Sequence, residues 1–224
     1  LLDWPASELL SNRWSTKHLH RLIVTSNTYK QSSRLIPKSL EQDPENKYLW
    51  RWPQRRLEAE AIRDSVLVAT GELNRKIGGP SIPPQHVEEQ LRRTIYLTQR
   101  RSELPDVMTM FDAPDGIKSC SRRDVSTVAL QPLYLLNSPF VVSRAKKLAE
   151  LVQTDAGNQR SDQVNDVFIR TLGREPTEVE KRQAVSLFSD PSTPVDISVE
   201  KSEDMQLIQF CHAMLNLNEF VYLP

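Results

Sequence analysis

The sequence predicts a mainly α fold, a multi-helix globular domain with room for one short strand pair. Three observations carry this. Apolar residues recur at helical spacing in at least five segments. Cap residues stand in front of several of those segments. β-branched alternation is confined to one short stretch, Thr94-Ile95-Tyr96-Leu97-Thr98.

Ser15 is placed to cap a first helix with Leu19, Leu22 and Ile23 on one face. Arg55–Leu73 is rich in helix formers and free of Pro and Gly until Gly71. Its stripe is expected along Leu57, Ala61, Asp64 and Val68, widened by Ile62, Val66 and Ala69. Ser138-Pro139 is a cap followed by Pro at the first helical position, and Val141, Val142, Ala145, Leu148, Ala149 and Val152 follow at helical spacing.

A helical hairpin is expected from Asp162 to Ser189, turning at Gly173-Arg174-Glu175-Pro176. Thr177 and Glu180 fit a capping box, in which hydroxyl and carboxylate each satisfy an orphan amide. Leu207, Ile208, Cys211, Met214 and Leu215 mark a last helix. Thr94–Thr98 reads as a strand, with Phe220-Val221-Tyr222 as a partner strand or a docked tail. Polar or Pro-rich joints fall near 31–46, 78–85, 104–127, 154–162 and 190–198. The expected organisation is a helical body over 1–155, containing the loop 104–127, and a smaller helical part over 156–224 packed on it.

Composition excludes several classes. Lys plus Arg equals Asp plus Glu at 29 each, which argues against a broad nucleic-acid surface. No run of 18 apolar residues exists, so no membrane span is expected. The start at Leu1-Leu2-Asp3-Trp4 reads as a fragment of a longer protein, with any targeting signal upstream. Cys120 and Cys211 form no C-x-x-C, so neither a zinc ribbon nor a c-type haem attachment is expected within these residues. They are either two separate buried thiols or, if the protein is exported, a disulfide worth roughly 4–5 kcal/mol.

The densest chemistry is in Phe111-Asp112-Ala113-Pro114-Asp115 and Cys120-Ser121-Arg122-Arg123. Asp112 and Asp115 are candidate acid and base for hydrolysis of a polysaccharide, because glycoside hydrolysis uses two carboxylates. The alternative is that Asp112 caps a turn and Asp115 pairs with Arg122 or Arg123. Asp64, in line with the long helix's apolar stripe, needs a partner if buried, and Arg122 or Arg123 is expected to reach it as a structural clasp. Tyr48, Trp50 and Trp52 alternate beside Arg51, Arg55 and Arg56. With Arg122 and Arg123 they are candidate binding residues for an acidic polysaccharide, or else loop anchors. His18 and His20, two apart, point to different helix faces and do not suggest a metal site.

A longer ordered series carries a resemblance. It includes Trp14-Ser15-Thr16-Lys17-His18-Leu19-His20-Arg21, Asp43-Pro44-Glu45-Asn46, Arg55-Arg56-Leu57-Glu58-Ala59-Glu60, Gly78-Gly79-Pro80-Ser81, the Asp112 loop, Leu135-Leu136-Asn137-Ser138-Pro139 and Cys211-His212-Ala213-Met214-Leu215-Asn216. The series resembles the planctomycete-specific domain PSD "one", a domain of unknown function. The resemblance implies an accessory or interaction domain of a secreted multidomain protein, periplasmic or at the cell surface. Its implied partners are upstream domains of the same polypeptide. It assigns no catalytic residue, and any haem would belong to an upstream cytochrome-c-like domain rather than to this chain.

Overall fold

The computed structural model describes residues 1–100, 103–188 and 202–223. The expected joint at 190–198 lies outside them. The described residues are mainly helical, and they divide into two compact units.

The first unit comprises Leu1–Arg55 with the C-terminal Tyr222–Leu223. It holds α1 (Asp3–Ser11), α2 (Thr16–Thr25) and α3 (Pro37–Gln42). Ser15 caps α2 as expected, its Oγ accepting from the His18 amide at 3.2 Å. Asp43 organises the loop after α3, its carboxylate accepting from the amides of Lys47 (2.9 Å) and Tyr48 (2.8 Å). It is the one buried residue among 1–55.

The second unit, Arg56–Val221, contains the core. Its helices are α4 (Ala59–Ala69), α5 (Asp106–Met110), α6 (Leu130–Asn137), α7 (Pro139–Ala156), α8 (Arg160–Leu172), α9 (Glu178–Leu187), α10 (Ser202–Leu215) and α11 (Asn218–Val221). Ser138 caps α7 through a 3.2 Å bond from the Val141 amide. Leu148, Val152, Val164, Val167, Leu207 and Leu215, on α7, α8 and α10, are fully buried. This packing joins helices on both sides of residue 155.

The hairpin of α8 and α9 turns at Gly173, whose φ of +69° suits a residue without a Cβ. Thr177 and Glu180 form the expected capping box. Arg174 in that turn grips Glu180 (2.8 and 2.9 Å) and Glu219 (2.6 and 2.7 Å). These bonds raise the Arg174 pKa and hold the Glu180 carboxyl down at about 2.

Two elements differ from expectation. Thr94–Tyr96 is a 3-10 turn, and only Leu97 is extended, bridging Ile82 in parallel. The short strand pair forms elsewhere, between β1 (Arg55–Arg56) and β2 (Tyr222–Leu223). The long helix consequently begins at Ala59, not Arg55. Its inward face is Ala59, Ile62, Arg63, Val66, Leu67 and Ala69, while Val68 is 47% exposed.

Candidate functional site

In the second unit, the sequence from 74 to 131 contains only short helical pieces, so side chains must anchor its backbone. Two buried arginines do this. Arg63 projects from the inward face of α4 and is 2% exposed. Its guanidinium donates to the carbonyls of Val87 (2.7 Å), Arg92 (3.0 Å) and Gln90, and to Thr94 Oγ1 (3.1 Å). It also lies 5.6 Å from the centre of the Phe140 ring. Burial lowers its pKa, and the nearby Asp64 carboxylate offsets part of that effect.

Arg56, at the end of β1, is the second anchor, with its side chain 3% exposed. Its Nη2 donates to Asp112 Oδ2 at 2.5 Å and to the Phe111 carbonyl at 3.3 Å. The guanidinium sits 5.2 Å from the Phe111 ring centre. Asp112 has a φ of +60°, a conformation that Asp tolerates better than most residues. Its carboxylate also accepts from the Ser126 amide (2.8 Å) and hydroxyl (2.8 and 3.0 Å). Gln131 continues the network, donating to Ser126 and to the Met110 carbonyl at 3.1 Å. Asp112 is thus engaged on both oxygens, an arrangement that suits a loop tie better than an acid or a base.

Asp115 stands apart from this network. It is exposed, and its Oδ1 accepts from the Ile117 amide at 2.9 Å in a local turn. Arg122 is also exposed. Arg123 pairs with Glu60 on the first turn of α4, through two bonds of 2.7 and 3.0 Å, and lies 3.3 Å from Glu58. Burial raises the Glu60 carboxyl, but the Arg123 hydrogen bonds and charge bring it below its ordinary range. The same bonds raise Arg123.

The loop is therefore clasped to the start of α4 by Arg123, one of the two arginines expected, but through Glu60 rather than Asp64. Asp64 takes its hydrogen bonds from Thr94, whose amide (2.8 Å) and hydroxyl (2.6 Å) both reach Oδ1. Arg123 goes to Glu60, one turn earlier on the helix. The sequence pointed to the loop and to α4; it offered Arg56 beside the aromatic residues rather than as the partner of Asp112, and it missed Arg63, Ser126 and Gln131. Arg63 carries one usable signal, a charge between Ile62 and Val66 on a helix with apolar residues on both sides.

Around Glu60 and Asp64 the surface opens into a cleft of about 590 Å³, walled by α4, the 94–99 segment and the start of α5. The aromatic candidates lie in the first unit instead. Trp50 Nε1 donates to the Asp43 carbonyl at 2.9 Å, and Trp52 meets Tyr29 edge-on at 5.2 Å. Both rings are used internally, while Tyr48 is 87% exposed. Of the two thiols, Cys120 is exposed and Cys211 is buried, and they are unbonded. Burial pushes the Cys211 thiol up to about 12. Among the described residues no helix is long and apolar enough to cross a membrane.

Nothing among curated proteins or solved structures matches the chain. A family match covers residues 1–188, taking in the Arg56–Asp112 tie, the Arg63 anchor and both walls of the cleft, and the family is described as a protein of unknown function (DUF1553). On that match the chain belongs to the PSD1 family.

Proposed function

We propose that this chain is an interaction module, and that its first unit docks onto a neighbouring protein domain. One observation carries the reading: among residues 1–55 only Asp43 is buried. The helices α1, α2 and α3 contain no buried residue, yet they carry Trp4, Leu10, Ile23, Val24 and Leu40 with large exposed areas. Helices of six to ten residues are marginal in water unless an apolar face is covered. Exposed apolar area on this scale is characteristic of interaction surfaces.

Charge narrows the partner. From Leu9 to Leu40 there is no Asp or Glu, while Arg13, Lys17, Arg21, Lys30, Arg34 and Lys38 are all basic. A complementary surface is apolar at its centre and acidic around it. An acidic polysaccharide would meet the charge, but it would leave the aliphatic residues of α1 and α2 uncovered. An exported location and a haem-bearing neighbour are supported only by the family resemblance and remain part of the proposal.

Hydrogen exchange on the isolated chain tests the reading. Amides of α1 and α2 are expected to exchange far faster than those of α7, and a dye that reports exposed apolar surface should bind. A photo-crosslinker at Trp14 or Ile23, used in the cells that make the protein, should capture one defined domain. The same crosslinker at Ile169 in the second unit should not. Slow exchange throughout α1 and α2 of the isolated chain, without dye binding, would overturn the proposal.

A further inference from the structure

The cleft beside α4 holds a carboxylate whose two oxygens are treated differently. Asp64 Oδ1 accepts both Thr94 bonds, and Arg63 lies 3.7 Å from it. Among the described residues Oδ2 has only Arg93 Nε near it, at 3.7 Å, beyond hydrogen-bond distance. A carboxylate oxygen accepts about two hydrogen bonds, so Oδ2 is an open acceptor held in place by its saturated twin. The Asp64 side chain is 19% exposed and lines the cleft. The Arg93 side chain is 56% exposed.

The rest of the lining fits a particular kind of guest. Glu60 pairs with Arg123 through two hydrogen bonds, and Glu58 Oε2 lies 3.3 Å from Arg123. Glu58, Glu60 and Asp64 are set against Arg93 and Arg123 in the lining, with Arg63 3.7 Å from Asp64 behind it, so the charges balance and the preference for a cation rests on the open Asp64 oxygen. Leu97, Leu104, Pro105 and Met108 supply an apolar wall. A volume near 590 Å³ lies within the range of small-molecule sites, roughly 300–1,000 Å³.

We propose that this cleft binds a primary ammonium group carried on an apolar chain. The ammonium donates to Asp64 Oδ2 with Glu58 nearby, and the chain lies along Leu97, Leu104 and Met108. A guanidinium fits less well, because its planar fork seeks two carboxylate oxygens and Oδ1 is already taken. A lysine side chain of a peptide and a free alkylamine share this chemistry.

The test is a nuclear magnetic resonance titration of the whole chain near neutral pH, following backbone amides. The probes are hexylamine for a free amine, N-acetyl-lysine methylamide for a lysine side chain, and hexanol and hexanoate as controls. Hexylamine should shift Thr94, Thr98 and Met108 at millimolar concentration, while hexanol and hexanoate should not. A stronger response to the lysine derivative assigns the site to peptides, and a stronger response to hexylamine to free amines. Asp64→Asn keeps an oxygen for Thr94 and should weaken binding roughly tenfold, the loss of about one charge-assisted hydrogen bond. Should that variant unfold, Glu58→Gln, which touches only Arg123, should weaken binding by about twofold to threefold. The proposal is overturned if hexanol shifts the same amides as strongly, if neither amine shifts them, or if a folded Asp64→Asn binds as tightly as the parent.

Discussion

Replacing Asp112 by Asn removes one charge and almost no volume, so it isolates the electrostatic part of the Arg56 tie. Asn tolerates the positive φ of this position, so backbone strain is unchanged. Asn also keeps an oxygen that can accept from Ser126. What it removes is the only carboxylate in contact with Arg56 among the described residues, and the Arg56 side chain is 3% exposed. Arg56 Nε and Nη1 have no hydrogen-bond partner among the described residues, so the Phe111 carbonyl on Nη2 is the acceptor left to it. Breaking a fully buried pair from one side costs ~3–5 kcal/mol. Asp112 is 19% exposed, and the Phe111 carbonyl and ring remain, which lowers the expectation to about 2–3 kcal/mol. For a cooperative unit of this size, that is a fall in Tm of roughly 4–12 °C, read by calorimetry near neutral pH. Arg56→Met removes the buried charge from the other side, so the double variant should be much less destabilised than the two singles summed. A coupling of about 1–3 kcal/mol is expected. A coupling below about 0.5 kcal/mol, or a single Asn variant as stable as the parent, would refute the clasp and reopen a chemical role for Asp112.

Other expected outcomes follow from the same structure. Glu180→Gln keeps an oxygen for the capping box but removes the charge that grips Arg174, costing about 0.5–1 kcal/mol at neutral pH after discounting for exposure. Arg174 hydrogen bonds hold the Glu180 carboxyl at about 2 against an ordinary 4.5, so its contribution is present above 4.5 and is lost as pH falls toward 2. The Tm difference between parent and Gln variant should therefore shrink across that window; a constant difference would argue against it. Gly173→Ala places a Cβ at φ +69° and should cost about 1 kcal/mol, and Gly173→Asn less, as measured by denaturant titration. With iodoacetamide at mildly alkaline pH, Cys120 should react in the native protein. Cys211, buried and with its thiol pushed up to about 12, should react only after unfolding.

What could be read from sequence was whatever repeats at helical spacing. Ser15, Ser138 and the Thr177–Glu180 box are local signals, and each caps the helix it announces. Long-range polar partners have no such period. Arg56 finds Asp112 across 56 positions, and Arg63 reaches carbonyls 24 to 29 positions away. Nothing local distinguishes Arg56 from Arg55 beside it. The misplaced strand has a related cause. Thr94–Thr98 is β-branched and aromatic, but Thr94 gives its amide and hydroxyl to Asp64 at the start of a 3-10 turn, which leaves only the bridge of Leu97 to Ile82 among the described residues of this stretch.

The second unit therefore solves a problem that its composition sets. Its segment from 74 to 131 offers few apolar contacts for its length, and its backbone groups cannot pair along a sheet that does not form. Guanidinium groups replace that missing ladder, because each presents several donors in one plane and can collect carbonyls from separate turns. Arg63 gathers Val87, Gln90 and Arg92 in this way, and Arg92 in turn holds the carbonyls of Gly78 and Pro80 at 2.6 Å while stacking 3.9 Å from the Tyr96 ring. Such a scaffold fixes the 94–99 wall of the cleft from behind, so that Asp64 and Thr94 are set before any guest arrives. It follows that Arg63→Met should loosen this wall even where α4 itself stays helical. Faster hydrogen exchange at Thr94 and Thr98, with unchanged exchange at Val66, is the pattern that distinguishes a lost anchor from a lost core.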